Sequence, residues 1–378
     1  MKKVVVLGAG MVGSVIAVDL SSSYKVTAVD LDPGRLDKLS PYTSIEKLQA
    51  DISDKEKLSE IIKDCDLVIG AVPGFMGFQI LQNVIRAGKD IVDISFFSED
   101  PFELDKLAKN NNVTSIVDCG VAPGMSSIIL GYHSTKMEIE YFKCMVGGLP
   151  FKRTWPYEYK APFSPVDVIE EYVRPARYVE DGLIKIKEAL SDPEFVDIEE
   201  VGTLEAFNTD GLRTLLQTMQ IPNMIEKTLR YPRHTEYIRV LKESGFFSKE
   251  CIDVNGVKVR PVDVAAKLLI PLWQLNEDER EFTAMRIHIK GGEEDKIKEY
   301  NYKMFDRFDE RTKFSSMART TGYTCTAVAN LVLEKIFNKK GICPPEYVGK
   351  EKGCFDRVRS YLEERNVIYH CEVRLSEA

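Results

Sequence analysis

The sequence predicts an α/β protein in which an N-terminal doubly wound parallel sheet is followed by a second, α+β domain on a mostly antiparallel sheet. A strand, a glycine-rich turn and a helix open the chain, apolar strands then alternate with helices to about residue 118, and period-2 strands dominate the middle. At 378 residues the chain exceeds one ordinary core. We expect a first domain over 1–120, a second over 121–314, and a helical return over 315–378 that packs on the first.

Composition excludes several classes of protein. The net charge is −8 and no basic block is present, so nucleic acid is not an expected partner. No apolar run reaches the ~18 residues that span a bilayer and no signal peptide opens the chain, so we expect a cytoplasmic protein without a membrane partner. The 8 cysteines and 4 histidines lack ligand spacing, so we expect no metal site.

The first strand, Val4–Leu7, runs into Gly-Ala-Gly-Met-Val-Gly at residues 8–13. This turn matches G-x-G-x-x-G between a strand and a helix, and Asp30 closes the next strand about 20 residues later. The first glycine permits a tight turn, the second lets a pyrophosphate approach the backbone, and the third lets the helix pack on the strand. The helix N-terminus offers N–H donors to phosphate. The pattern predicts a Rossmann dinucleotide-binding domain with coenzyme contacts at Gly8, Gly10, Met11, Val12 and Gly13.

Asp30 determines the expected coenzyme. A carboxylate at this position accepts hydrogen bonds from the adenosine ribose and repels the 2′-phosphate of NADP. Arg35, five residues later, would soften that preference. We therefore expect NAD, with NADP less favoured.

The alternation of strands and helices continues along the first domain. Strands are predicted at Leu67–Ile69, Ile91–Ser95 and Ser115–Asp118, and helices at Phe78–Ala87 and Phe102–Asn110. Ligands of such sheets lie beyond the carboxyl ends of the strands, at the switch point. Further coenzyme contacts are therefore expected at these ends, namely at Asp51, Ile52, Ala71, Val72, Pro73, Ser95 and Pro123.

The middle of the chain has a different pattern. Met285, Ile287 and Ile289 alternate with polar residues, which indicates a sheet with one wet face. The predicted strands are Ile139–Leu149, Asp197–Val201, Thr283–Lys290 and Tyr302–Phe308, and from Ser315 an apolar stripe with helical spacing indicates a long helix.

Five segments beyond residue 117 carry a family resemblance: DCGVAPGM at 118–125, GGLP at 147–150, FSPVDVIEEY at 163–172, LEAFNTDGL at 204–212 and TLRYPRH at 228–234. In this order, after a Rossmann start, they resemble the saccharopine dehydrogenase family over nearly the whole chain. The segment at 163–172 looks most like L-lysine 6-dehydrogenases, which implies NAD-dependent oxidation of L-lysine at its ε-carbon. Saccharopine and carboxynorspermidine dehydrogenases share the scaffold and remain alternatives. The resemblance also implies a homodimer.

Oxidation at a CH–NH group needs a proton acceptor, a cation for the substrate carboxylate and an anion for its ammonium. Asp93 and Asp118 follow strands on the coenzyme side and are candidate bases or helix caps. Asp167 and Glu170 lie three apart on a predicted short helix, where one carboxylate could hold an ammonium. Arg174 lies one turn beyond and is either a substrate contact or a surface partner of Glu170.

Five further residues complete the predicted site. Arg230 and Tyr231 are candidates for carboxylate recognition, because guanidinium binds a carboxylate through two parallel hydrogen bonds. An internal salt bridge between domains is the alternative for Arg230. His234 is either a proton shuttle or a structural histidine. Glu205 and Thr209 mark a polar turn with a substrate-binding or an anchoring role. A non-catalytic NAD-binding redox sensor is the hypothesis from another class of protein.

Overall fold

A computed structural model describes residues 1–161, 165–276 and 279–376. The chain forms two compact units, and each is built from two separate stretches of sequence. Unit 1 comprises Met1–Lys136 and Ala318–Ile368, and unit 2 comprises Met137–Met317 and the chain from Tyr369 onward. The structural divisions therefore fall at 136, 317 and 368, where the sequence predicted two divisions at 120 and 314.

The strands, in chain order, are β1 (Lys3–Leu7), β2 (Lys25–Asp30), β3 (Ile45–Gln49), β4 (Leu67–Gly70), β5 (Ile91–Asp93), β6 (Thr114–Ile116), β7 (Glu138–Pro150), β8 (Ala176–Glu180), β9 (Leu183–Lys187), β10 (Glu194–Ile198), β11 (Gly202–Asn208), β12 (Asn223–Arg230), β13 (Ile252–Val254), β14 (Val257–Val259), β15 (Glu281–Glu293), β16 (Lys296–Arg307), β17 (Gly341–Cys343) and β18 (Tyr369–Ser376).

The α-helices are α1 (Met11–Ser21), α2 (Pro33–Asp37), α3 (Lys55–Ile62), α4 (Gly74–Arg86), α5 (Asp105–Asn110), α6 (Met125–His133), α7 (Pro165–Val173), α8 (Leu215–Thr218), α9 (His234–Glu243), α10 (Pro261–Trp273), α11 (Ser316–Leu333), α12 (Pro345–Lys350) and α13 (Cys354–Glu363), with one 3₁₀ helix at Pro101–Leu104. Among the described helices, none has both the length and the apolar composition needed to cross a bilayer.

Unit 1 contains a parallel sheet of 7 strands in the order β17-β6-β5-β4-β1-β2-β3. The chain runs outward from β1 to β3, returns to the other side of β1 at β4, and continues outward again. This reversal makes the carboxyl ends of β1 and β4 the switch point of a doubly wound sheet, where such folds bind ligands. The predicted fold class is confirmed for this unit. The short strand β17 was not predicted.

Unit 2 contains a mixed sheet of 9 strands, with the path β10-β11-β12-β7-β15-β16-β18 and with β8 and β9 beside it. All pairs are antiparallel except β12 with β7. The hairpin of β15 and β16 turns at Glu294 and Asp295, whose φ angles of 52° and 60° suit a two-residue hairpin turn. The predicted mostly antiparallel second sheet is confirmed.

Two sequence predictions in the second half were wrong. The predicted strand Asp197–Val201 spans the end of β10 and the turn before β11: the strand ends at Ile198, and Glu199 and Glu200 stand in the turn. The tail was expected to pack as a helical return on the first domain. Helices α11, α12 and α13 lie in unit 1, but β18 pairs along β16 and extends the sheet of unit 2.

Candidate functional site

The glycine-rich turn between β1 and α1 is held in shape by close backbone approaches. Gly8 has a φ of +100°, and a Cβ atom there would lie 2.3 Å from the carbonyl oxygen of Ala71. A Cβ at Gly13 would lie 2.0 Å from the carbonyl oxygen of Gly8. The protein itself therefore requires both glycines, as the sequence pattern predicted on steric grounds.

Gly10 differs from these two glycines. Its φ of −69° is open to any residue, and no described atom lies within 4 Å of the position where its Cβ would stand. Gly10 is also the N-cap of α1, no side chain caps this helix, and its first turn contains no acidic residue. The open space and the uncapped amides together fit a pyrophosphate group, which needs both at a helix N-terminus. Met11 and Val12 contribute the first two of these amides.

Asp30 lies at the end of β2 and is buried against the turn. Its Oδ2 accepts a 2.8 Å hydrogen bond from the Ala9 amide, and its Oδ1 accepts one of 2.9 Å from the Asp32 amide. The Arg35 guanidinium lies 3.6 Å from Oδ2. The carboxylate thus fixes the backbone around it, and its contact with the ribose stays a prediction.

Four of the remaining predicted coenzyme contacts fall into two groups. Ile52 and Val72 are buried in the hydrophobic core of unit 1, which leaves their side chains little surface for a ligand. Asp51 and Pro73 are exposed, Pro73 as the N-cap of α4. Asp51 accepts hydrogen bonds from the hydroxyl and the amide of Ser53, and these hold the pKa of its carboxyl below the usual value.

Asp93 lies fully buried at the end of β5. It occupies the space that its strand neighbour Gly70 leaves open, since a Cβ there would stand 1.8 Å from its Oδ2. Its Oδ1 accepts a 2.8 Å hydrogen bond from the Ser95 amide, and the Ser95 hydroxyl lies 3.3 Å from its Oδ2. Burial raises the pKa of Asp93 well above the usual value, and the nearby charge of Asp118 raises it further. Asp93 therefore holds a proton at higher pH than an ordinary carboxyl.

Asp118 is buried and has a φ of +53°, so it stands at a tight left-handed turn after β6. Pro123 lies in the next turn, where its carbonyl accepts a 3.1 Å hydrogen bond from the Gly120 amide. The ends of β5 and β6 thus bring both predicted aspartates into electrostatic contact within unit 1.

In unit 2, Arg230 is fully buried and lies within a network of its own chain. Its Nη2 donates to Glu171 at 2.9 Å, its Nη1 to the Leu229 carbonyl at 2.9 Å, and its Nε to the Tyr172 hydroxyl at 3.2 Å. The guanidinium also stacks over the Tyr159 ring at 4.3 Å. Arg230 thus forms an internal salt bridge, but both partners lie in unit 2, whereas the predicted alternative was a salt bridge between domains. The helix α7 supplies the partner, Glu171.

His234 continues this network. Its Nδ1 lies 2.8 Å from the Tyr157 carbonyl, which only accepts, so Nδ1 carries the proton. The Tyr172 hydroxyl then donates to Nε2 at 2.9 Å. Burial lowers the pKa of His234 to about 3, and the positive charge of Arg230 contributes to the lowering. His234 therefore stays neutral near pH 7, as a structural histidine does.

The other predicted side chains of this region are also engaged. The Tyr231 hydroxyl donates to the Pro150 carbonyl at 2.9 Å, and the Thr209 hydroxyl pairs with that of Thr228 at 2.9 Å. Glu205 lies opposite Arg230 across β11 and β12 and is buried. Its Oε2 has no hydrogen-bond partner among the described residues.

Helix α7 carries the predicted acidic pair. Glu170 is partly exposed and pairs with Lys249 at 3.0 Å, and its charge also acts on Arg174. The side chain of Asp167 lies outside the described part of the chain. Across the described residues, no three His, Cys, Asp or Glu side chains gather as a metal site requires.

An arginine cluster in unit 2 was only partly predicted. Arg177 binds Asp210 through two hydrogen bonds of 2.8 and 2.9 Å. Arg174 and the buried Arg213 lie close to this pair: burial lowers the pKa of Arg174, the charges of Arg213 and Arg177 lower it further, and Asp210 and Glu170 oppose them. No local motif marks the cluster, because 33 residues separate Arg177 from Asp210.

Two family models match the chain. The one described as the saccharopine dehydrogenase NADP binding domain matches residues 4–116, and the one described as the saccharopine dehydrogenase C-terminal domain matches residues 120–368.

Sequence relatives carry related names. Saccharopine dehydrogenase (NADP(+), L-glutamate-forming) of Pyricularia oryzae is 27% identical over 66% of this chain and 59% of its own length. The enzyme of the same name in Saccharomyces cerevisiae is 23% identical over 69% and 61%. The chain thus spans about three fifths of these relatives. Carboxyaminopropylagmatine dehydrogenase of Synechocystis sp. is 21% identical over 93% of this chain and 95% of its own length.

Solved structures show the same fold. The apo saccharopine dehydrogenase (L-Glu forming) of Saccharomyces cerevisiae superposes over 100% of both chains with a TM-score of 0.78 at 19% identity. The homospermidine synthase of Legionella pneumophila, in complex with NAD, superposes over 100% of this chain and 92% of its own with a TM-score of 0.67 at 12% identity.

Proposed function

The chain belongs to the saccharopine dehydrogenase family, as its sequence resemblance predicted, and on this premise we propose that it is a nicotinamide-dependent oxidoreductase acting on the CH–NH group of an amino acid. The observation that carries the proposal is the turn at Gly10, where open space meets the uncapped amides of α1. A bound nicotinamide dinucleotide would exchange a hydride with the substrate carbon. Gly8 and Gly13 permit the close backbone approaches of the turn, and Asp30 accepts a hydrogen bond from the Ala9 amide within it.

The reaction follows from the bond that is oxidised. The substrate carbon loses a hydride and its nitrogen loses a proton, which leaves a carbon–nitrogen double bond. Water then adds to that carbon, and the nitrogen departs as a free amine. The chain must therefore bind a substrate whose nitrogen either joins two carbon chains or is itself a free ammonium group.

For the substrate class, we propose a substituted amine that carries carboxylates. The support is the cluster of Arg174, Arg177 and Arg213 in unit 2, which lies beside Asp210 and Glu170. Guanidinium groups bind a carboxylate through paired hydrogen bonds, so this cluster suits a substrate that carries carboxylates. Relatives named for saccharopine, with an L-glutamate-forming reaction, and for carboxyaminopropylagmatine agree with this class.

Oxidation of L-lysine at its ε-carbon is the second candidate, and Glu205 favours it. A buried carboxylate oxygen without a hydrogen-bond partner among the described residues is costly and suits a substrate ammonium. This candidate requires one carboxylate-binding cation and one anion, whereas the substituted amine makes use of the whole arginine cluster.

We propose NAD as the preferred coenzyme, with NADP also accepted. The Asp30 carboxylate repels a 2′-phosphate. Arg35, which is half-exposed and 3.6 Å from Asp30, is the cation that would receive that phosphate in NADP. The matched N-terminal family model is described as NADP binding, which agrees with acceptance of both coenzymes.

The test follows the absorbance of reduced nicotinamide with saccharopine, carboxyaminopropylagmatine or L-lysine and with each coenzyme. We expect turnover of a substituted amine. Arg174→Gln should raise KM for that substrate by about tenfold or more, as loss of a charged hydrogen bond does, and leave the coenzyme Kd unchanged. Arg233→Gln, at an exposed position, is the matched control. Turnover of L-lysine alone would select the second candidate, and a folded chain that binds neither coenzyme would reject the proposal.

A further inference from the structure

A cleft of about 470 Å³ opens on unit 1 where the helices α1, α11 and α13 meet. All of its lining residues belong to unit 1, and its volume is that of a site for a small molecule. Leu20, Ala327 and Leu331, which are buried, form the apolar part of its wall. Asp19 and Leu20 lie in the last turn of α1, whereas the glycine turn precedes the first turn of that helix. The cleft is therefore separate from the coenzyme turn.

Asp19 joins the three helices at the wall of the cleft. Its Oδ2 accepts hydrogen bonds from the Thr326 hydroxyl at 2.6 Å and from the Tyr361 hydroxyl at 2.8 Å, and its Oδ1 accepts one of 2.8 Å from Arg365. The Arg365 guanidinium also stacks over the Tyr361 ring at 3.4 Å. The protein itself therefore fixes this wall, and the charge of Asp19 already has its partner.

The cleft carries an excess of negative charge. Four carboxylates and two guanidinium groups line it, so its net charge is −2. Two of the carboxylates, those of Asp19 and Glu334, have guanidinium partners at 2.8 and 3.3 Å. The partner of Asp19, Arg365, also lies 3.7 Å from Glu364, which is largely exposed. The excess charge therefore falls mainly on Asp356 and Glu364, at the exposed rim.

The ends of three helices add to this negative charge. The last turns of α1, α11 and α13 all contribute residues to the cleft, and none of these turns contains a basic residue. The C-terminus of a helix carries about half a negative charge. In the same unit, α4, α5 and α12 each have a basic residue in the last turn, namely Arg86, Lys109 and Lys350. The helix ends at the cleft thus favour a cation that the chain does not supply in those turns.

The placement of the excess charge indicates the kind of cation. Asp356 and Glu364 are eight residues apart along α13, which is about 12 Å along the helix axis. Across the part of the chain that the structure describes, no three His, Cys, Asp or Glu side chains are placed to hold a metal ion. An organic molecule with an ammonium group at each end meets both carboxylates, and its methylene groups pack on Leu20 and Leu331. We propose that this cleft binds a linear aliphatic diamine between Asp356 and Glu364.

The first test is a calorimetric titration of the full chain with 1,5-diaminopentane. We expect one diamine to bind per chain, about tenfold or more tightly than pentylamine, which has a single ammonium group. Asp356→Asn and Glu364→Gln should each weaken diamine binding about tenfold, because each removes one charge-assisted hydrogen bond. Glu363→Gln is the matched control, since Glu363 lies on the same helix, faces Arg359 and stands outside the cleft. This control should bind the diamine as the wild type does.

The second test fills the cleft. Ser360 lines the cleft at an exposed position, so Ser360→Trp should abolish diamine binding and leave the midpoint of urea unfolding unchanged. Diamine binding that survives in this variant would place the ligand elsewhere and overturn the proposal.

Three further results would overturn it as well. The first is a wild-type chain that shows no binding with the diamine at about 10 mM, or that binds pentylamine equally well. The second is unchanged affinity in both Asp356→Asn and Glu364→Gln. The third is displacement of the diamine by an equal concentration of Mg²⁺, which would identify a site for inorganic cations.

Discussion

The two units of this chain hold their conspicuous polar and glycine residues in different ways. In unit 1, Gly8 and Gly13 are fixed by backbone approaches within one turn, while Gly10 beside them stays open. In unit 2, Arg230 and His234 are held by Tyr172, which lies 58 and 62 residues away along the chain. In a local turn, a glycine that no protein contact requires points to a ligand. In a buried polar network, the residue types are those of an active site, but their side chains bind one another.

The largest expected effect tests whether Arg230 belongs to that buried polar network. Arg230→Met leaves Glu171 and Tyr172 without their buried partner, and we expect the free energy of unfolding of unit 2 to fall by about 3–5 kcal/mol. Urea denaturation followed by tryptophan fluorescence measures it, because Trp155 and Trp273 both lie in unit 2. The exposed Arg233→Met is the control and should stay within about 0.5 kcal/mol. Normal stability with a raised substrate KM would instead place Arg230 in a binding site.

The next effect distinguishes the structural role of Gly13 from the coenzyme-binding role of Gly10 in unit 1. Gly13→Ala forces a Cβ to 2.0 Å from a carbonyl oxygen, so the backbone must move and stability should fall by about 3 kcal/mol. Gly10→Ala meets no protein atom, so we expect unchanged stability and a coenzyme Kd raised about tenfold or more. Circular dichroism in urea and the fluorescence of bound reduced coenzyme measure the two quantities. A Gly10→Ala chain with wild-type coenzyme affinity would show that the open space is not the phosphate site.

The pH dependence of unit 2 tests His234. Its pKa is about 3 in the folded chain against an ordinary 6.5, so the unfolded state takes up a proton that the folded state refuses. The stability it contributes is complete above pH 6.5 and is lost as the pH falls toward 3. Between pH 7 and 5 its contribution should decrease by about 2 kcal/mol.

His234→Gln should remove this component of the slope in tryptophan-monitored unfolding. His370→Gln, at an exposed position on β18, is the matched control. Equal slopes for wild type and His234→Gln would mean that folding leaves the pKa of His234 unchanged.

The smallest expected effect concerns coenzyme choice. Asp30→Asn keeps an acceptor for the Ala9 amide and removes the charge that repels a 2′-phosphate, so the ratio of NADP to NAD affinity should rise about tenfold, or roughly 1.4 kcal/mol. Arg35→Gln should change the ratio in the opposite direction. Titration with both reduced coenzymes measures it, with exposed Asp37→Asn as the control. An unchanged ratio in Asp30→Asn would remove this residue from the choice.

The sequence predicted unit 1 well because its signals are local. The strand, turn and helix around residues 8–13 follow from consecutive residues, and apolar runs mark β1 and β4. Strand β17 escaped prediction because it has three residues and exists only by pairing with β6, far earlier in the chain. Ile52 and Val72 stay predicted coenzyme contacts, although their side chains lie in the core. Position after a strand does not tell whether a side chain turns to a ligand or to the core.

Unit 2 was harder to predict because partners that are distant in the sequence stabilise charged residues at strand positions that are usually apolar. The strand β12 contains Glu226 and Lys227, both buried, which breaks the apolar pattern of a central strand. The Lys227 ammonium is buried beside Glu194 at 2.6 Å, a partner no local pattern reveals. Strand β18 does show period-2 alternation, but its place at the edge of β16 depends on the fold of the whole unit.

The division of the chain at 136, 317 and 368 has a consequence for its synthesis. A ribosome delivers the first stretch of unit 1 long before residues 318–368, which supply α11, β17 and two further helices. The glycine turn can therefore form early, on a sheet that still lacks its outermost strand. The second sheet, in turn, receives β18 last of all, so a nascent chain exposes β16 as a temporary edge until translation has passed residue 369.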